Sequence, residues 1–202
     1  MSAPANLTVA LTGASGSLFA RELLTALAQN ERVARVDFIP SEASLRVLAE
    51  ELGLSGRNDL LTKLLGKTSG IEKFRAHAEE DIGAGPASGS YPSDGMIVLP
   101  CSMGTLAGIA NGLASNLIQR AADVTLKERR PLVLCVRETP FNKIHLRNMQ
   151  LAADAGATIF PTIPSFYNHP KSLEEAAQQF AFRVLAHIGL PQAGAYVWDE
   201  AK

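Results

Sequence analysis

The stretch Ser115–Glu138 reads SNLIQRAADVTLKERRPLVLCVRE. Its first half carries apolar residues at helical spacing and runs into Pro131, which cannot continue a helix. Its second half, Leu132–Val136, is a short apolar run closed by the charged pair Arg137-Glu138, the pattern of a strand buried on both faces. A helix leading straight into a buried strand is the repeating unit of a parallel α/β sheet. Ligands of such sheets bind outside the C-terminal ends of the strands, where Arg137 and Glu138 stand. Residues 120–147 hold seven of the 19 basic residues, namely Arg120, Lys127, Arg129, Arg130, Arg137, Lys143 and Arg147, against the acids Asp123, Glu128 and Glu138. With a net charge of −1 on the whole chain, this is a local excess of positive charge. Two readings fit it: an anion site, or a solvated helix face on which Arg120, Asp123 and Lys127 lie at i, i+3 and i+7.

The same alternation extends outward in both directions. Leu7–Leu11 is a strand, followed by the turn Thr12-Gly13-Ala14-Ser15-Gly16-Ser17 and a helix through Leu18, Leu23, Leu24 and Leu27. Val33–Ile39 is a second strand, and Ser41 is placed to cap a helix over Glu42–Leu52. Glu51, near that helix's end, is poorly placed for the helix dipole and reads first as an exposed glutamate. Residues 53–73 read as a polar, irregular surface insertion. Gly83–Pro92 is a loop of small residues, suited to closing over a ligand or to serving as a flexible connector. Gly95–Pro100 is a buried strand, and Cys101-Ser102-Met103-Gly104-Thr105 opens the helix that runs to Ala110. Further on come a helix over 141–155, a strand over 157–161, an aromatic loop over 164–170, and a long helix over 172–190. Ser172 and Glu175 stand at capping-box spacing in that last helix. Arg183 lies inside it between Ala181-Phe182 and Val184-Leu185, which predicts partial burial and a need for an anionic partner. The expected fold is α/β, a three-layer sandwich around a mostly parallel doubly wound sheet. We expect one domain over 1–202, with a C-terminal helix and tail from about residue 172.

Composition narrows the function. A chain of 202 residues with 47% apolar and 19% charged residues is long enough for a sizeable core and too apolar for disorder. Near-neutrality argues against a nucleic-acid surface. No span is long enough to cross a membrane and no basic leader precedes the first strand, so a cytoplasmic location is expected. Cys101 and Cys135 lie in apolar runs and read as reduced core thiols. His145 has no acid or second histidine at ligand spacing, and zinc spacing, a magnesium-binding acid cluster and a Walker lysine are not found, so no metal is expected. The two glycine- and hydroxyl-bearing βα turns at 12–17 and 101–105 can cradle phosphate with helix amides, although neither is a G-x-G-x-x-G fingerprint and tight turns without a ligand use the same residues.

These segments together carry a family resemblance. Gly13-Ala14-Ser15-Gly16, Pro86-Ala87-Ser88-Gly89-Ser90, Cys101-Ser102-Met103-Gly104-Thr105, residues 116–124 (NLIQRAADV), 126–134 (LKERRPLVL), 137–141 (RETPF) and 164–167 (PSFY) resemble, in the same order along nearly the whole chain, the UbiX-like flavin prenyltransferases. The resemblance implies a Rossmann-like flavoprotein and a homo-oligomer, a dodecamer in that family's pattern. It implies transfer of a dimethylallyl group from dimethylallyl phosphate or diphosphate to N5 and C6 of reduced FMN, without a metal. The product, prenylated FMN, would serve a UbiD-type decarboxylase.

By position, the resemblance assigns Gly13, Ala14, Ser15, Ser41, Ser102, Thr105 and Arg120 to the flavin. It assigns Lys127, Arg137, Tyr167 and Arg183 to the donor phosphate, and Ser88 and Gly89 to the loop beside the isoprenoid. Ser15, Glu51 and Glu138 match positions that handle protons or the leaving group. The chain departs from the pattern at Ile82 and Gly83, in a segment where the family often has Trp. Two other readings remain: a flavin-dependent decarboxylase of cysteine-containing peptides, which the basic stretch disfavours, and a non-catalytic FMN-binding protein. Arg129 and Arg130 are expected to be surface or subunit-contact charges.

Overall fold

The structure, a computed structural model, describes residues 5–66 and 68–198; Lys67 and the ends of the expected 1–202 unit lie outside the described residues. Six strands form the sheet: β1 (Ala5–Leu11), β2 (Val33–Pro40), β3 (Phe74–Ala76), β4 (Gly95–Cys101), β5 (Leu132–Val136) and β6 (Thr158–Ile159). Their order is β3-β2-β1-β4-β5-β6, and every neighbouring pair is parallel. The helices are α1 (Ser17–Gln29), α2 (Glu42–Leu52), α3 (Leu60–Leu65), α4 (Met103–Ala110), α5 (Leu117–Lys127), α6 (Lys143–Asp154) and α7 (Leu173–His187).

Parallel strands need covered faces, and alternate side chains supply two cores. Leu7, Val9, Leu11, Ile97, Leu99, Val133 and Cys135 face a layer built by α1, α2, α3 and α7. Ala10, Met96, Val98, Leu132, Leu134 and Val136 face α4, α5 and α6. The expected Rossmann-like sandwich is therefore the observed one. The chain winds outward from β1 to β3, returns to β4 and winds the other way to β6. The direction reverses between β1 and β4, which opens a crevice above their C-terminal ends. Both hydroxyl-bearing turns leave from those two strands.

Several local expectations change. Residues 53–73 contain α3, and Leu60, Leu64 and Leu65 are buried in the main core, not an exposed insertion. A six-residue helix shows too little of a period to be read from sequence. The last strand shrinks to Thr158–Ile159. Arg183 is exposed rather than partly buried, because α7 turns its apolar residues Ala181, Val184 and Leu185 inward and leaves position 183 outward. The Ser172 hydroxyl accepts from the Glu175 amide as expected, but the Glu175 carboxylate takes the Lys171 amide, one residue before the cap. A reciprocal capping box closes instead at α6, between Asn142 and His145, which gives His145 the structural role expected of it.

Candidate flavin and prenyl-donor site

Thr12 stands at the switch point and joins the two turns. Its hydroxyl donates to the Pro100 carbonyl at 2.8 Å and accepts from the Ser102 amide at 2.8 Å. The sequence reading passed over Thr12 because nothing local marks a contact spanning 90 positions. Gly13 follows, and a Cβ there would lie 2.5 Å from the Cβ of Ala43, so only glycine lets α2 come this close. Ser41 caps α2 by accepting from the Ser44 amide at 3.0 Å. Ser102 caps α4, accepting from the Thr105 amide at 3.3 Å and donating to the Thr105 hydroxyl at 3.1 Å. These caps leave the first-turn amides of Met103 and Gly104 for an acceptor from outside, and a Cβ at Gly104 would meet nothing within 4 Å. An anionic group fits that open helix start, with Ser41, Ser102 and Thr105 around the same crevice.

The start of α1 is different. It was expected to help cradle an external phosphate, but its amides go to the chain's own carboxylate. Glu51 accepts from Gly16 at 3.1 Å and from Ser17 at 2.7 Å. Burial pushes the Glu51 carboxyl up, but the hydrogen bonds from Ser15, Ser17 and Gly16 outweigh this and hold it below the usual value. A glutamate badly placed for its own helix dipole is thus well placed for its neighbour's. Ser15 and Glu51, matched separately by position, stand at the same helix start.

The basic stretch packs against the 85–92 loop along α5. Asn116 caps α5 by accepting from the Gln119 amide. Arg120 bonds Asp123 at 2.7 Å and donates through Nε to the Ala87 carbonyl at 3.1 Å. Lys127 pairs with Glu128, not with Asp123, so the expected i, i+3, i+7 ladder stops after its first rung. A Cβ on Gly89 would fall 2.6 Å from Lys127 Nζ and 2.2 Å from Glu128 Oε1, so the 85–92 loop lies directly on this ion pair. Arg130 is not the bland surface charge expected. Its guanidinium donates to the Gly89 carbonyl at 2.8 Å and the Tyr91 carbonyl at 3.3 Å.

Arg137 leaves the end of β5 with its amide on the Cys101 carbonyl, beside the Ser102 turn, and its side chain is exposed. Glu138 is exposed too, accepting from the Thr139 amide at 2.9 Å. Tyr167 and Arg183 sit elsewhere, in a cavity of about 620 Å³ whose walls also include Tyr196 and Trp198 but not Lys127, Arg137 or Glu138. Tyr167 packs on Tyr196 and Trp198 with ring centroids 5.3 and 5.7 Å apart. The tail is fastened to α7 where Gln179 accepts from the Tyr196 amide and donates to the Gly194 carbonyl. Among the described residues, no three His, Cys, Asp or Glu side chains are grouped to hold a metal ion.

A doubly wound sheet with capped helix starts and hydroxyls at its switch point is the frame of a flavin-binding α/β protein. A family model described as Flavoprotein matches residues 1–177. The flavin prenyltransferase UbiX of Pseudomonas aeruginosa is 42% identical, with 99% of this chain and 97% of that protein covered. The enzyme of the same description from Deinococcus radiodurans is 42% identical over 98% of this chain and 96% of its own. The chain belongs to the flavoprotein family, among its UbiX flavin prenyltransferases.

Solved structures agree. AnUbiX (PadA1), in complex with FMN and dimethylallyl pyrophosphate, superposes with a TM-score of 0.86 at 37% identity, covering 97% of this chain and 98% of that one. A dodecameric FMN-dependent UbiX-like decarboxylase from Escherichia coli O157:H7 gives 0.85 at 39% identity, covering 96% and 99%. The cypemycin decarboxylase CypD, at 18% identity and a TM-score of 0.60 over 89% of this chain and 95% of its own, shares the fold alone.

Proposed function

We propose that this protein transfers a dimethylallyl group from dimethylallyl phosphate or diphosphate to reduced FMN, giving prenylated FMN. The observation that carries the reading is that an open helix start and an exposed cation meet at one turn: the α4 amides leave from the Cys101–Ser102 turn, and Arg137 stands beside it. Residues 85–92, which carry Ser88 and Gly89, lie separately on Arg120 and Lys127. A relative bound to FMN and dimethylallyl pyrophosphate supports it.

In this reading Gly13, Ala14, Ser15, Ser41, Ser102, Thr105 and Arg120 hold the flavin. FMN supplies the nucleophilic ring atoms and a π face for the allyl group. Lys127 and Arg137, joined by Tyr167 and Arg183, neutralise the phosphate as the allylic C–O bond breaks, a task cations perform without a metal. Glu138 stands beside Arg137 to take or return a proton. Ser15 and Glu51 provide a second proton position at the α1 start, where the Gly16 and Ser17 amides hold the carboxylate in place. Ser88 and Gly89 border the isoprenoid.

The separation of Tyr167 and Arg183 from Lys127 supports a homo-oligomeric assembly in which one subunit's tail region completes another's site. The dodecameric E. coli relative supports the same assembly, and the exposed Phe141, Ile144 and Leu146 provide apolar surface for it. Two buried free thiols fit a reducing cytoplasm, and no helix among the described residues is long and apolar enough to cross a membrane. The product's consumer would be a UbiD-type decarboxylase. The test is anaerobic incubation of the purified protein with reduced FMN and dimethylallyl phosphate, followed by mass spectrometry of the extracted flavin. A gain of one dimethylallyl unit, lost in Lys127→Ala and Arg137→Ala, is expected. Unchanged flavin with wild-type protein overturns the transferase reading, and bound but unmodified FMN leaves the non-catalytic flavin-binding one.

A further inference from the structure

Asp37 is a fully buried carboxylate in the middle of β2, and no motif accounts for it. A buried charge persists only when its oxygens are taken up by partners. Three partners take it: His77 Nε2 at 2.8 Å, Arg35 Nε at 2.9 Å and the Tyr91 hydroxyl at 3.1 Å. Two of them come from outside β2, and Tyr91 belongs to the loop that carries Ser88 and Gly89. Its ring lies over the Arg35 guanidinium, 4.4 Å from carbon to centroid, while Arg35 also donates to the Pro92 carbonyl. The same ring fills the space beside Gly85, where a Cβ would come within 2.4 Å of it. Tyr91 thus closes the loop on its own first residue and ties it to β2. The far side of the loop rests on Lys127 and Arg130.

We propose that Tyr91 is a positioning residue for the prenyl-donor site: its hydroxyl on Asp37, with its ring between Arg35 and Gly85, sets how Ser88 and Gly89 lie against Lys127. Tyr91 acts through the loop and does not touch the donor. The inference rests on the donor-site reading above. Removing the hydroxyl leaves Asp37 with His77 and Arg35, so the fold keeps its buried carboxylate paired while the loop loses its tether.

The test compares wild type, Tyr91→Phe and Gly85→Ala, the last of which displaces the ring from the loop side. Each is measured for KM with dimethylallyl phosphate, for kcat, for FMN affinity by flavin-fluorescence quenching, and for hydrogen exchange of residues 85–92. Both variants should raise KM by about tenfold, the equivalent of one hydrogen bond to a charged group. Both should leave kcat and FMN affinity within about twofold, small changes on the same energy scale. Amides of 85–92 should exchange faster. An unchanged KM with unchanged exchange overturns the proposal, as does an equal loss of FMN affinity, which would mark a general structural role. If wild type forms no prenylated flavin, the donor-site reading fails on that control. The tether is then judged by exchange alone, and wild-type protection in both variants rejects it.

Discussion

Glu51 shows how a residue's worth depends on what lies opposite it in space. Its carboxylate accepts the Gly16 and Ser17 amides, a charge at a helix start. Burial raises its pKa but the Ser15, Ser17 and Gly16 hydrogen bonds lower it further, so the net shift is downward. A depressed carboxyl contributes stability above its unfolded pKa and loses it as pH falls through the folded one. Glu51→Gln should therefore cost up to about 1 kcal/mol at neutral pH, a modest figure because the partly exposed group is screened. The difference from wild type should shrink as pH falls below the ordinary glutamate range, through the depressed folded pKa. Urea melts across that range would show it, and a pH-independent difference would refute the charge-cap account. The two thiols behave oppositely: burial pushes Cys101 up to about 12 and Cys135 well above its ordinary value. Neither should react with iodoacetamide in the folded protein at about pH 8, the ordinary thiol range. Both should react in denaturant, as intact mass would show. Their burial was legible in the apolar runs around them. The partners of Glu51, Thr12 and Arg130 were not, nor were His77 and Tyr91 on Asp37, because each of these bonds joins residues 34 or more positions apart.

At the scale of elements, periodicity carried the reading where an element was long. The basic stretch was resolved as helix then strand because α5 shows a helical period, β5 is an unbroken apolar run and Pro131 divides them. Three short elements were missed or misplaced. α3 was absorbed into an apparent insertion over 53–73, β3 just after it went unread, and β6 was drawn too long. A short element is held by its neighbours, not by its own pattern. Leu64, 4% exposed in the main core, makes this measurable. Leu64→Ala should destabilise the protein by about 2–5 kcal/mol, the range for truncating a buried leucine. A cost below about 0.5 kcal/mol, that of a surface position, would mean that α3 is the loose insertion first expected.

For the whole molecule, the distribution of donor-site cations is the decisive feature. Arg137 stands at the C-terminal end of β5, Lys127 at the end of α5 that leads into the N-terminal end of β5, and Tyr167 and Arg183 in the cavity under the tail. If subunits share sites, an oligomer reassembled from Lys127→Ala and Arg183→Ala subunits contains some sites with both cations intact. Such mixtures should recover part of the prenylation activity that each variant lacks alone. No recovery after verified subunit exchange would place each site within one chain. By itself the sequence determined the alternation of strands and helices, the parallel doubly wound sheet and the motifs that mark the flavin crevice. These depend on local periodicity and on turn chemistry, which neighbouring residues carry. Only the tertiary structure decided that the α1 start is filled by Glu51, that Arg130 and Tyr91 hold the 85–92 loop from two sides, and that Arg183 is exposed. Each of these depends on which side chains meet across the fold, and such meetings leave no trace in the spacing of residues along the chain.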